Sequence, residues 1–407
     1  MSILQSINFE SFVPNEKFKS FNKSFKKSFY KSSKKIKNNF KEKKNLFYSF
    51  SKDFKLNFSL SELKKYKRFK RIITIGMGGS ILGAQAINFF LKKKINKELI
   101  FINNLDPDQL NKLKGIKNLN NSLFIFISKS GNTIEVLTII NFLKNKANFN
   151  NNNSLVITTN KKSHLSTFAK KLRIKIIFHR HYIGGRYSVF SETALVPCYL
   201  MNINIIKLKK KISHFLDKKK HTLIKNLINL SKVYNSRKIN SLVLLNYCQG
   251  LEYFLLWCQQ LIAESLGKKG KGKIPIISIG PRDHHSLLQL YLDGPKDSFF
   301  YFFSLNNKKK INKNKGFFVE ALNNKDTYEV IENQKKALIT LFKNKKIPFL
   351  SIEMKKRNEE TLGELFSYFI FETVLMGENL KVDPFSQPAV EQLKTLTKDN
   401  LFKKNRK

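Results

Sequence analysis

Cysteine is scarce in this chain: Cys198, Cys248 and Cys258 are the only three among 407 residues. Their spacing fits neither a zinc site nor a disulfide framework, and an odd number leaves one unpaired in a single copy. A reducing compartment, the cytoplasm, is the expected home. Acidic residues are also short, with 29 Asp+Glu against 76 Lys+Arg and a net charge of +47. A field of that sign attracts polyanions. The excess is not confined to basic residues, however. Lys, Asn, Ile and Phe are abundant together, as in AINFFLKKKINKELIFINN (86–104), and all four share A/T-rich codons. Compositional drift raises all of them at once, whereas selection for nucleic acid would raise Lys and Arg alone. The lysines are scattered and no helix-turn-helix, zinc or RNA-recognition signature is present, so no specific nucleic-acid partner is expected. Long apolar runs are missing too. The longest apolar region, roughly 241–266, is broken by Asn246, Gln249, Glu252, Gln259, Gln260 and Glu264, which excludes a membrane span there. The opening MSILQSINFESFVPNEK has no charged segment followed by an apolar one, so it does not read as a signal peptide.

What is present is enough apolar material for a folded enzyme. The chain is 42% hydrophobic with 37 Phe, which rules out a wholly disordered protein, and its length points to two domains. Residues 17–44 are basic and nearly free of acid, with Phe18, Phe21, Phe25, Phe29, Ile36 and Phe40 at helical spacing. That pattern predicts an amphipathic helix docked on the body. From residue 71 onward, short apolar runs alternate with longer helical stretches. RIITIG (71–76), LIFINN (99–104), SLFIFIS (122–128), SLVITT (154–159) and IKIIFH (174–179) read as strands. A helical zone over 192–235 follows, and then SLVLLNY (241–247), KIPIISIG (273–280), DSFFYFFSL (297–305) and KIPFLSIEM (346–354) resume the alternation, with helices from 282, 327 and 359. Strand–helix–strand alternation predicts an α/β fold, with parallel sheets covered on both faces. The Asn/Lys-rich runs at 147–153 and 306–315 read as loops.

Two loops carry chemistry. Gly76-Met77-Gly78-Gly79-Ser80-Ile81-Leu82-Gly83 follows a strand and opens a helix, where close backbone approach and free N–H groups favour an anion. A dinucleotide loop of the G-x-G-x-x-G type would need glycine at Ile81, and a plain strand-to-helix turn explains the segment equally well. Ser128-Lys129-Ser130-Gly131-Asn132-Thr133 also lies between a strand and a helix, with Glu135 placed for a capping box from Asn132. Capping needs one hydrogen-bonding side chain. Several hydroxyls beside a lysine make a cradle for one phosphate.

GMGGSILG, SKSGNTIE, GGRYSVFSETALVP, AESLGKKGKG, GPRDHHSLLQ and QPAVEQLK occur in that order between about 70 and 394. Together they resemble the glucose-6-phosphate isomerase family, which is built from two sugar-isomerase (SIS) domains. The resemblance implies two doubly wound parallel-sheet SIS domains, at 61–205 and 241–383. A basic helical N-terminal segment (1–60), a helical connection (206–240) and a C-terminal helix (384–407) complete the expected layout.

By this resemblance the substrate phosphate lies against Ser80, Ser128, Ser130 and Thr133 with Lys129 beside it, and Gln387 is a further phosphate-side ligand. Asn132 departs from the threonine usual in this loop. Arg186 is implied as the cation that stabilises an enediolate, and Glu264 as the base that moves a proton between C1 and C2. Spacing alone would leave Glu264 a solvated residue near a helix end. His285 and Lys394 are implied in opening the sugar ring. His284, where glutamine is common, reads as incidental, and the adjacent pair has no third metal ligand at recognisable spacing. His179 and His181 read as loop polarity and Glu252 as structural. The implied reaction is reversible isomerisation of glucose 6-phosphate and fructose 6-phosphate, in glycolysis and gluconeogenesis, with no metal and no organic cofactor. The implied assembly is a homodimer in which His285 reaches the neighbouring subunit's site. Two rivals are a non-catalytic SIS sensor, which should lack Glu264, His285 and Lys394, and a basic nucleic-acid-binding protein, against which the scattered lysines and missing signatures count; a closer one is an isomerase that also accepts mannose 6-phosphate.

Overall fold

A strand buried on both faces must be apolar throughout, and SLFIFI is: β4 (Ser122–Ile127) is buried at every position. Around it, β2 (Arg71–Gly76), β3 (Glu98–Ile102), β5 (Ser154–Thr158) and β6 (Lys175–Phe178) form a sheet in the order β3-β2-β4-β5-β6. All its neighbours are parallel, with Gly76 opposite Ile127 at the carboxyl ends of β2 and β4. The computed structural model describes residues 6–14, 23–306, 319–323 and 325–403.

The second sheet contains β7 (Ser241–Asn246), β8 (Ile274–Ile279), β9 (Ser298–Leu305) and β10 (Phe349–Met354), in the order β1-β10-β9-β7-β8. Its last four strands are parallel. The remaining strand, β1 (Ile7–Phe12), runs antiparallel to β10 and corrects the expectation that the N-terminal segment is helical. Its register puts Ile7 opposite Met354 and Phe12 opposite Phe349. The alternation that selects it is weak in sequence. Ile7 is fully buried, and Phe9 packs its ring against Phe215 and Tyr368, so the strand is fixed by distant partners.

Both sheets reverse their winding direction beside their first parallel strand, and in doubly wound sheets the carboxyl-end crevice at that reversal is where ligands bind. Two helices join the sheets. Glu359–Asn379 is buried along most of its length and behaves as the central post. Glu252–Leu266 packs Trp257 edge-on against Phe366, with ring centroids 4.7 Å apart. Arg357, just after β10, donates to the carbonyls of Phe89 and Phe90 at the end of the Leu82–Leu91 helix and ties the two sheets further.

The amphipathic N-terminal pattern forms the helix Lys23–Asn38, with Phe29 and Ile36 buried. Tyr30 of this helix meets His221 at 2.7 Å. Phe18 and Phe21, and nearly all of the 306–315 run, lie outside the described residues. All three cysteines are free and buried. No described helix is long and apolar enough to cross a membrane.

Candidate active site

The carboxyl ends of β2 and β4 are neighbours, and each opens into one of the two loops singled out above. After β2, Gly78 takes a left-handed backbone (φ +51°) that glycine adopts without strain. Space demands glycine as well: a Cβ on Gly79 would stand 2.2 Å from the carbonyl carbon of Gly185. The loop therefore lies backbone to backbone against the segment that carries Arg186. Ser188 Oγ donates to the Gly79 carbonyl at 3.2 Å and holds that contact.

After β4, Ser128 Oγ and Thr133 Oγ1 are 2.7 Å apart, and the Ser128 hydroxyl accepts from the Gly131 N–H at 3.1 Å. Ser130 is exposed and Ser80 half-buried. The expected capping box does not form. The helix Ile134–Leu143 starts after Thr133 with no side-chain cap bond, because Asn132 Oδ1 instead accepts from the His164 N–H at 3.0 Å. The N–H groups of the first turn thus have no side-chain cap. Burial, reinforced by Arg186 and then Lys161, holds the Lys129 ammonium below the ordinary lysine range. An anionic group beside it would relieve that crowding.

Arg186 lies in the 3-10 segment Gly185–Phe190 with its side chain 1% exposed. Each of its five N–H donors has an acceptor. Nε reaches Ser265 Oγ (2.8 Å), and Nη2 reaches the carbonyls of Pro384 (2.7 Å) and Ser386 (3.0 Å). Nη1 reaches Glu264 Oε2 (3.0 Å) and Gln387 Oε1 (2.6 Å). Glu264 is seated near the end of Glu252–Leu266, its other oxygen accepting from Gln260 Nε2 at 2.8 Å. Gln260 in turn abuts Gly78, where a Cβ would come within 2.9 Å of its Nε2. The two loops, Arg186, Glu264 and Gln387 therefore belong to one connected site.

His285 and Lys394 are not in this cluster. His285 is exposed on the 3-10 turn Arg282–His285 after β8. Lys394 sits on the exposed helix Pro388–Lys403 and pairs with Glu391 at 2.6 Å. Among the described residues, no three His, Cys, Asp or Glu side chains are grouped to hold a metal ion.

Several supporting residues receive no role from the sequence alone. Tyr187 shares its hydroxyl with Ser265 Oγ (2.8 Å) and donates to the Pro384 carbonyl (2.8 Å). Trp257 Nε1 donates to the Arg186 carbonyl at 3.0 Å. Lys268 donates to the Ser265 carbonyl at 3.0 Å, and burial together with Arg186 lowers its basicity. Tyr187 and Ser265 each adjoin a motif residue, which is the available signal. His179 is more than loop polarity: it is buried against Glu192 Oε2 (3.4 Å), whose other oxygen takes Arg180 Nη1 at 2.5 Å. That buried cluster braces the strand-end before Gly184.

The phosphoglucose isomerase family model matches residues 51–406. The chain belongs to the phosphoglucose isomerase family. It is 33% identical over 352 residues to a glucose-6-phosphate isomerase of Methanocaldococcus jannaschii, covering 83% of this chain and 86% of that protein. It is 32% identical over 361 residues to a glucose-6-phosphate isomerase of Campylobacter jejuni, covering 84% and 88%. Among solved structures, a hypothetical protein from Thermus thermophilus superposes with a TM-score of 0.83 at 20% identity, over 97% of this chain and all of that one. A glucose-6-phosphate isomerase from Chlamydia trachomatis superposes with a TM-score of 0.79 at 16% identity, over 99% and 89%. At those identities the structures establish the phosphoglucose isomerase fold, and the sequence matches establish membership.

Proposed function

We propose that Arg186 and Glu264 together carry the family's reaction here, the reversible aldose–ketose isomerisation of glucose 6-phosphate and fructose 6-phosphate in glycolysis. The observation that carries the assignment is the 3.0 Å contact between Arg186 Nη1 and Glu264 Oε2. It puts a fixed cation and a carboxylate at one point. Three of the five Arg186 bonds go to Ser265 and to backbone carbonyls, so the guanidinium is anchored on that side. Nη1 is bound by the side chains of Glu264 and Gln387, which substrate can displace.

In this reading the phosphate is held by Ser80, Ser128, Ser130, Thr133 and Lys129, with Gln387 at its edge. Ring opening uses His285 and Lys394. Glu264 takes the proton from one carbon of the open-chain sugar and returns it to the next through a cis-enediol. Arg186 Nη1 stabilises the oxyanion that exists only along that path. No step calls for a metal or organic cofactor, because the substrate's own carbonyl acidifies the C–H bond.

The test is conversion of fructose 6-phosphate to glucose 6-phosphate, read through a coupled dehydrogenase, for wild type and Glu264→Gln. A fall in kcat of about a thousandfold or more supports the assignment of the base. Equal rates would remove Glu264 from the role. Binding of fructose 6-phosphate without turnover in the wild type would make the chain a sensor.

A homodimer is part of the same proposal. His285 is exposed and has no hydrogen bond or ion pair among the described residues. Leu290 is 56% exposed a few residues later, and Leu393 and Leu396 are 67% and 60% exposed on the C-terminal helix. A second copy covering these surfaces would deliver His285 to the neighbouring site. Loss of specific activity on dilution, in step with dissociation measured by sedimentation, is the expected outcome; a fully active monomer would sink it. A reducing compartment, the cytoplasm, fits the three free thiols.

A further inference from the structure

His284, read above as incidental, is built into the fold. The turn Arg282–His285 is a 3-10 turn, in which successive side chains point about 120° apart. Residues 282 and 285 therefore share one direction while 283 and 284 take the other two, and those two are fixed. Asp283 is buried, with Oδ2 accepting from Ser278 Oγ (3.0 Å) and the Ile279 N–H (2.7 Å), so the turn is tied down onto β8. His284 Nε2 lies 2.6 Å from the Tyr247 hydroxyl. Tyr247 immediately follows β7, the strand paired with β8, and is itself only 7% exposed.

The tyrosine is held on its other sides. It stacks on Phe302 of β9 with an interplanar angle of 11°. Its ring also presses on Gly280, where a Cβ would come within 2.7 Å of it. Burial raises the Tyr247 phenol well above the ordinary tyrosine range, so it remains a hydrogen-bond donor. Burial, then the neighbouring His285, lowers the His284 imidazole below its usual value and keeps Nε2 able to accept. With Asp283 and His284 both secured, His285 has only the solvent direction left.

We propose that the Tyr247–His284 hydrogen bond is a positioning device that aims His285 out of the turn for ring opening; this rests on the role given to His285 above. His284 then touches no substrate and acts only through its neighbour. The inference predicts a catalytic cost without a binding cost when the bond is cut.

The experiment is a double-mutant cycle on kcat and KM for fructose 6-phosphate. Tyr247→Phe should lower kcat about tenfold with KM within about twofold, and His284→Gln, whose amide can still accept from the phenol, should keep most of the activity. In a His285→Ala background, Tyr247→Phe should cost nothing more. An undiminished Tyr247→Phe penalty in that background, with unchanged thermal stability, would overturn the proposal. If Tyr247→Phe does not fold, His284→Leu takes its place in the same cycle. Wild-type rates for His285→Ala would defeat the ring-opening role itself, and this inference with it, a result distinct from failure of the cycle.

Discussion

Arg186 uses every donor it has, and that saturation sets what its replacements should do. Arg186→Lys keeps the charge but supplies a single flexible ammonium in place of a planar fork. It leaves acceptors among Ser265, Pro384, Ser386 and Gln387 unpaired, each worth about 1–3 kcal/mol when buried. The variant should lose both thermal stability and at least about a hundredfold in kcat, measurable by calorimetry and the coupled assay. Glu372 supplies a second prediction at this scale. Fully enclosed in the Glu359–Asn379 helix, it accepts from Tyr301 (3.0 Å) and Tyr368 (2.8 Å), and burial pushes its carboxyl up to about 7. The folded chain therefore keeps a proton that the unfolded chain releases near the ordinary glutamate value. Its contribution to stability is complete below about pH 4.5 and is lost as pH rises through about 7. Glu372→Gln should flatten the fall in stability over that window, as read from urea midpoints; an unchanged slope would assign the pH dependence elsewhere.

The legibility of the sequence differs by element. Strands and their following loops are readable because a buried parallel strand announces itself as an apolar run, and the second loop places its hydroxyls and lysine at consecutive residues. Ser128 to Thr133 needs no distant partner to be recognised. Asn132 reads as a cap in sequence and is none in the fold, because its acceptor role depends on His164, 32 residues away. Strand β1 escapes for the same reason, its register being set by residues 349–354. Conversely, the glycines of the first loop read as room for an anion, and the structure adds a packing demand. Gly79→Ala should force the loop off the Arg186 segment, since its Cβ would overlap Gly185 backbone. The expected result is loss of turnover together with at least about 1–3 kcal/mol of stability, the usual cost of overpacking. Deleting residues 1–14 should uncover the edge of β10, with soluble aggregates detectable by size-exclusion chromatography.

For the whole molecule, the dominant quantity is +47 net charge. Self-repulsion of that size destabilises the compact state and is screened within about 8 Å at physiological ionic strength. The same field draws in a dianionic sugar phosphate. Added sodium chloride should therefore raise the melting temperature while raising KM for fructose 6-phosphate, two opposite effects from one cause. A melting temperature indifferent to salt would mean that self-repulsion does not set the stability of the fold.

The seat of Arg186 has a consequence in time. Its Nη2 is held by the carbonyls of residues 384 and 386, and Nη1 by Gln387, 201 positions downstream. A ribosome makes the two loops, the arginine and the glutamate long before it makes those partners. A nascent chain stalled at residue 383 would hold both loops, Arg186 and Glu264 and still leave three of the five guanidinium bonds unmade. The seat of the arginine is therefore completed only once residues 384–387 have been made.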